Sequence, residues 1–182
     1  MVQAGKAGTI YLLDRDDMTL GNQHYCSGCV SDVEIVQEIP GAIGGLFSGP
    51  AYWNNTVYIW GVDDALVAYS LIDGRLGSPP ASTSKTPLGY PGATPTISSS
   101  GVTNGIVWAI DSSHFGAPDE PAAGPAVLHA FDASDVANEL YNTSLAPNGR
   151  DTAGNAVKFA VPTVANGKVY VGTQTELDVY GS

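Results

Sequence analysis

The sequence predicts an all-β protein built from short antiparallel strands, and three observations carry that expectation. Apolar residues fall in short runs rich in Val, Ile, Thr and Tyr, and no stretch sustains a 3.6-residue apolar period. Gly (22) and Pro (12) are plentiful, while charged residues make up only 14% of the 182 residues, which is a turn-rich composition. The stretch KFAVPTVANGKVYVGTQTELDVYG (158–181) sets Asn166-Gly167 between two β-prone runs. Asn-Gly there is the strongest short-range hairpin signal, because a type I′ turn needs positive φ at both central positions.

The pattern recurs. Asn54 is followed at the third and fourth positions by Val57 and Tyr58, Asn104 by Val107 and Trp108, and Asn166 by Val169 and Tyr170. Pro50, Pro95 and Pro162 precede these turns. A third run closes each copy: LVAYS at 66–70, LHAFD at 128–132 and LDVYG at 177–181. A fourth copy of that run, IYLLD at 10–14, stands near the N-terminus without a hairpin of its own in front. Between the second and third runs, the middle copy is longer by the Pro/Gly/Ala-rich HFGAPDEPAAGP, which reads as a surface loop. Weaker, polar candidates for a fourth strand follow at 33–39, 78–86 and 138–144, as suits an outer edge facing solvent.

Four short antiparallel strands per repeat, lettered a to d from the centre outward, describe the blade of a β-propeller. The expected architecture is a partial β-propeller of about three four-stranded blades in a single domain. Strands c and d occupy 1–40, full blades occupy 46–88 and 93–146, and strands a, b and c occupy 157–181. Closed propellers have about four to eight blades, so the sequence reads as the C-terminal portion of a longer propeller. On that reading its first partners are upstream blades of the same chain.

Charge narrows the partners. A formal net charge of −11 with only seven Lys and Arg argues against nucleic acid, whose phosphates need clustered cations. No apolar segment approaches the ~18 residues of a membrane span. The opening MVQAGKAGTIYLL has no signal-peptide architecture. With blades expected upstream, the signal peptide is expected there too, and the location is extracellular or periplasmic.

The repeats resemble the quinoprotein-type propeller, the family of pyrroloquinoline quinone (PQQ) dehydrogenases and their non-catalytic relatives, closest to uncharacterised secreted bacterial proteins with such repeats. VYVGTQTELDVYG is similar to the family's b–c hairpin, and Ala68-Tyr69-Ser70-Leu71-Ile72-Asp73-Gly74-Arg75 follows its A-x-D-x-x-x-G-K-x-x-W motif as far as Gly-Arg. Ser78 stands where that motif has its blade-docking Trp, and in the later copy Tyr141 takes the role with one extra residue. GKAGTIYLLDRDDM also looks like a run common in these proteins. The resemblance implies PQQ and calcium as cofactors of catalytic members. Their adjacent Cys-Cys pair is absent here and their calcium-holding and catalytic residues find no match, so catalytic residues and cofactors are expected to be none in this segment.

Three constellations remain. Cys26-x-x-Cys29, with His24 just before, offers three metal ligands, but no second ligand cluster accompanies them. A loop-closing disulfide between Cys26 and Cys29 is the favoured reading, with metal the alternative. Asp14-Arg15-Asp16-Asp17 lacks the Gly and closing Glu of a calcium loop and reads as a solvated turn. The d–a and b–c loops share one rim in a propeller; here the b–c loops carry Asp63, Asp64 and Asp111, and the d–a loops carry Phe47, Tyr90, Arg150, Asp151, Lys158 and Phe159. Because cations are rare in this chain, Arg150 and Lys158 are candidates for an anionic ligand, weighed against structural salt bridges with Asp151, Asp63 or Asp111.

The expected function is therefore a binding or scaffolding module, with a protein or small molecule on the channel face. The alternatives are part of a PQQ-dependent alcohol or sugar dehydrogenase and a carbohydrate-active propeller.

Overall fold

A computed structural model describes residues 1–17, 35–116 and 123–181 and shows an all-β protein. Among the described residues the strands form four antiparallel sheets that follow one another along the chain. The first holds β1 (Val2–Ala4), β2 (Ile10–Leu12) and β3 (Gln37–Ile39). The second holds β4 (Ala51–Trp53), β5 (Thr56–Trp60), β6 (Asp64–Ile72), β7 (Arg75–Leu76) and β8 (Ser82–Leu88), with both β7 and β8 pairing β6. The third holds β9 (Thr96–Ser100), β10 (Thr103–Asp111), β11 (Val127–Asp132) and β12 (Glu139–Asn142). The fourth holds β13 (Thr163–Ala165), β14 (Lys168–Gly172) and β15 (Leu177–Tyr180).

The turns follow from residue chemistry. Asn54 and Asn55 both take positive φ between β4 and β5, and Asn166 and Gly167 do so between β13 and β14, as the primed hairpin turns require. The hairpin expected at Asn104-Gly105 forms earlier. Ser100 pairs with Thr103 around Gly101-Val102, with positive φ at Gly101, and Asn104-Gly105 instead sits at an irregularity inside β10. The cause is tertiary: a Cβ on Gly105 would lie 2.6 Å from the Trp53 ring and 2.9 Å from the Ala133 Cβ, so glycine is needed there for close packing. The N-terminal copy also has a partner strand after all, because β1 pairs antiparallel with β2.

Consecutive sheets pack face to face, and period-two alternation decides which residues enter which seam. On β5, Val57 and Ile59 face the first sheet, joining Ala4, Ile10, Val67 and Tyr69. Tyr58 and Trp60 face the third sheet, joining Leu66, Val107 and Phe131. On β10 the same split sends Val107 and Ala109 to the second sheet, and Trp108 and Ile110 to the fourth, where they meet Leu128, Val169 and Val171. The two middle sheets are thus covered on both faces. His129 is buried in the second–third seam, stacked on Phe131 with its Nδ1 2.7 Å from Glu139 Oε1.

Candidate functional site

The connections between sheets are fixed by backbone-capping carboxylates before any ligand is considered. Asp64 accepts from the Gly44 N–H at 2.9 Å and the Ala65 N–H at 2.8 Å. Asp178 repeats the arrangement, accepting from the Gly154 N–H at 3.1 Å. A Cβ on Gly44 would collide with the Val62 carbonyl, and one on Gly154 with the Thr173 and Glu176 side chains, so these loops press against the strand ends.

On this scaffold the loops meet along one rim and build a row of rings and ammonium groups. Lys6, between β1 and β2, holds its Nζ 5.1 Å from the Phe47 ring centroid. Phe47, in the loop leading to β4, meets Tyr90 edge to face at 5.0 Å. Tyr90, in the loop leading to β9, meets Phe115 at 5.8 Å in the same manner. Lys158, in the loop leading to β13, lies 4.2 Å from the Phe115 centroid and 5.8 Å from that of Tyr90. The row therefore joins loops from all four sheets. Edge-to-face rings satisfy their quadrupoles, and each ammonium rests on a negative ring face. Tyr90 is 39% exposed, and both lysines are exposed.

Of the rim residues expected from sequence, Phe47, Tyr90 and Lys158 come together here. Phe159 is exposed beside Lys158 with a left-handed φ of 65°, outside the ring contacts of the row. Asp63 is exposed with φ 55°, and its N–H donates to the Leu88 carbonyl at 2.6 Å. Asp111 caps its own turn, accepting from the Ser113 N–H at 2.8 Å. Arg150 leaves the row altogether. It grips Asp151 with two parallel hydrogen bonds of 2.7 and 2.8 Å, in the cleft between the third and fourth sheets. That pair is the structural salt bridge weighed from sequence, and Arg150 adds no charge to the rim. Lys6 and Phe115 complete the row; Lys6 sits in the opening Gly-Lys motif and Phe115 in the Pro/Gly/Ala-rich HFGAPDEPAAGP, which were the only signals for them.

Cys26 and Cys29, with the disulfide expected between them, lie outside the described residues, as does His24. Among the described residues no group of three or more His, Cys, Asp or Glu side chains is placed to hold a metal ion. Nor is any helix among them long and apolar enough to cross a membrane.

Fold and rim together define an all-β protein of serially packed antiparallel sheets with one aromatic, cationic rim. No protein-family model matches the chain, and no curated protein matches it.

Proposed function

We propose that the four sheets are successive blades of a quinoprotein-type β-propeller, serving an exported protein as a binding or scaffolding module without a complete active site. Support for the blade reading comes from sheets that follow chain order, pack face to face, and gather their connecting loops on one side. The observation that carries the binding reading is the row Lys6–Phe47–Tyr90–Phe115–Lys158. In a chain of net charge −11, two of seven cations are spent at the two ends of one partly exposed aromatic strip. The ligand is an anion with an apolar body: its acidic groups take the ammoniums while its body covers the rings.

Two measurements test this. Titration with benzoate and with glucuronate, followed by aromatic carbon–proton NMR, is expected to shift the Tyr90 and Phe115 ring signals, and the Lys6→Ala/Lys158→Ala variant to abolish the shifts. Unmoved ring signals in the parent protein would refute the rim as a binding surface. The full-length protein mixed with PQQ, calcium and an artificial electron acceptor is expected to leave the acceptor oxidised when given alcohols or sugars. Dye reduction would replace the scaffolding reading by the dehydrogenase one.

A further inference from the structure

A second site lies far from the row, in the seam between the third and fourth sheets. The seam between the second and third sheets shows what normally fills that position. There Trp53, the last strand residue before the β4–β5 turn, sends its indole across to donate to the Gly101 carbonyl at 2.9 Å. Tyr58, paired with Ala68, crosses the same seam to donate to the Ala133 carbonyl at 2.7 Å. One sheet later the corresponding residues by register are Ser98, paired with Ile106, and Trp108, paired with Thr96 and Ala130. Ser98 is too small to cross. Trp108 turns back and donates to Ser98 of its own sheet at 2.8 Å. The seam is left with an open cleft of about 790 Å³, within the range of small-molecule pockets.

The walls of this cleft are not those of an unfilled core. Ser98, Ser99, Ser100 and Asn104 supply hydroxyl and amide groups, while Trp108, Tyr141 and Tyr180 supply rings. The Arg150–Asp151 pair sits among them and is held in place from both sides. Tyr141 donates its hydroxyl to Asp151 Oδ2 at 2.6 Å, and Tyr180 donates to the Asp151 carbonyl at 3.1 Å. Arg150 spends two of its five N–H donors on Asp151, and its side chain is 71% exposed. The pair therefore presents donors and acceptors side by side with no net charge.

We infer that this cleft binds a neutral saccharide. A pyranose ring has apolar C–H faces and hydroxyl edges, which match rings alternating with hydroxyl, amide and paired-charge groups. Vicinal hydroxyls are donor and acceptor at once, which suits a fixed guanidinium–carboxylate pair better than either charge alone. Net neutrality selects against acidic ligands, in contrast to the rim, and the inference does not rest on the rim reading.

The test is calorimetric titration with maltotetraose, cellotetraose, xylotetraose and, as the acidic arm, tetragalacturonate. At least one neutral oligosaccharide is expected to bind. Its affinity is expected to fall about tenfold or more in Arg150→Met, the loss of hydrogen bonds to a charged group. Ser98→Trp, which puts at the matching register position the residue type that fills the neighbouring seam, is expected to abolish binding while the protein stays folded. Lys6→Ala/Lys158→Ala is expected to bind as the parent does, which separates this site from the rim. Silence from all three neutral sugars, tighter binding of tetragalacturonate, undiminished binding in Arg150→Met, or loss of binding in the rim variant would each overturn the inference.

Discussion

The second–third and third–fourth seams are built from the same strand positions and put to opposite uses. In the first, Trp60, Tyr58, Phe131 and Leu66 are all but fully buried, and the indole of Trp53 reaches across to close the edge. In the second, the buried set is aliphatic, with Ile110, Leu128, Val169 and Val171, and the aromatics Trp108 and Tyr180 are only partly covered. Stability is concentrated where rings cross a seam, and space is left where the ring turns back. Shared strand geometry thus supplies the fold, while one or two residues per sheet decide whether the gap becomes core or cleft.

The largest expected effect attacks the closed seam. Trp60→Ala removes the biggest fully buried side chain, whose indole also donates to the Asp64 carbonyl at 2.9 Å, and should cost about 3–5 kcal/mol. Val171→Ala in the open seam removes two methyl groups from an equally buried site and should cost only about 2 kcal/mol. Urea midpoints of the two variants measure the difference directly. Equal losses would mean that the two seams carry equal weight and that the contrast is one of shape alone.

Next comes a glycine pair. Gly105→Ala drives a methyl into the Trp53 ring and the Ala133 side chain, for a cost of about 1–3 kcal/mol. Gly172→Ala on β14 meets nothing within 4 Å and should leave stability unchanged or raise it by a few tenths of a kcal/mol. Thermal unfolding of both reports on the same comparison, and a destabilised Gly172→Ala would show that the fourth sheet is packed more tightly than its contacts indicate.

Gly105 also marks the limit of what could be read from sequence. The primed turns at Asn54-Asn55 and Asn166-Gly167 were legible because turn type is set by the two residues in the turn. Asn104-Gly105 carries the same local signature, yet its glycine answers to Trp53, about 50 residues earlier in the chain, and no local pattern encodes that contact. A succession of short-stranded sheets along the chain was expected from the repeats, whereas which residues of β5 and β10 enter which seam was not, because that depends on the partner sheets. At the rim, Phe47, Tyr90 and Lys158 were identified because repeat spacing put their loops on one side. Lys6 and Phe115 join them through ring contacts between different sheets, which spacing does not specify. Arg150 was assigned to the same rim, although its neighbour Asp151 and the hydroxyl of Tyr141 draw it into the cleft.

A smaller contrast concerns two hydroxyls. Tyr58→Phe leaves the Ala133 carbonyl without its buried donor and should cost about 1–2 kcal/mol. Tyr180→Phe removes a hydroxyl from a part-buried bond to the Asp151 carbonyl, where water can replace it, and should cost less than about 1 kcal/mol. Both phenols are pushed up by burial, with Tyr180 reaching about 12 and reinforced by the Asp178 charge. A phenol whose folded value lies above its ordinary one stabilises the protein below pH 10, and that contribution is lost as pH rises through the folded value. Alkaline unfolding should therefore begin earlier in the parent than in either Phe variant, measured against each variant's own neutral-pH stability.

The finest test of the comparison lies in acid. Hydrogen bonds from Arg150, then from Tyr141, hold the Asp151 carboxyl down to about 2, below its ordinary 3.8. A depressed carboxyl contributes stability that is complete above its unfolded value and disappears as pH falls toward the folded one, so the window runs from about pH 4 to pH 2. The effect is small because the Arg150 side of the pair is solvent-exposed and screened by salt. On the other side of the third sheet, Asp132 is also lowered, but by the hydroxyl and N–H of Ser134 within its own turn, a local bond that crosses no seam. Asp151→Asn should therefore flatten part of the acid limb of a stability–pH curve. High salt should mimic that change in the parent protein, because the Arg150–Asp151 attraction is ionic. Ser134→Ala should flatten a further part that responds less to salt, since its bond to Asp132 involves one charge and a fixed dipole. Acid limbs that are identical in parent and Asp151→Asn would show that the cleft pair orders the loop without stabilising the fold.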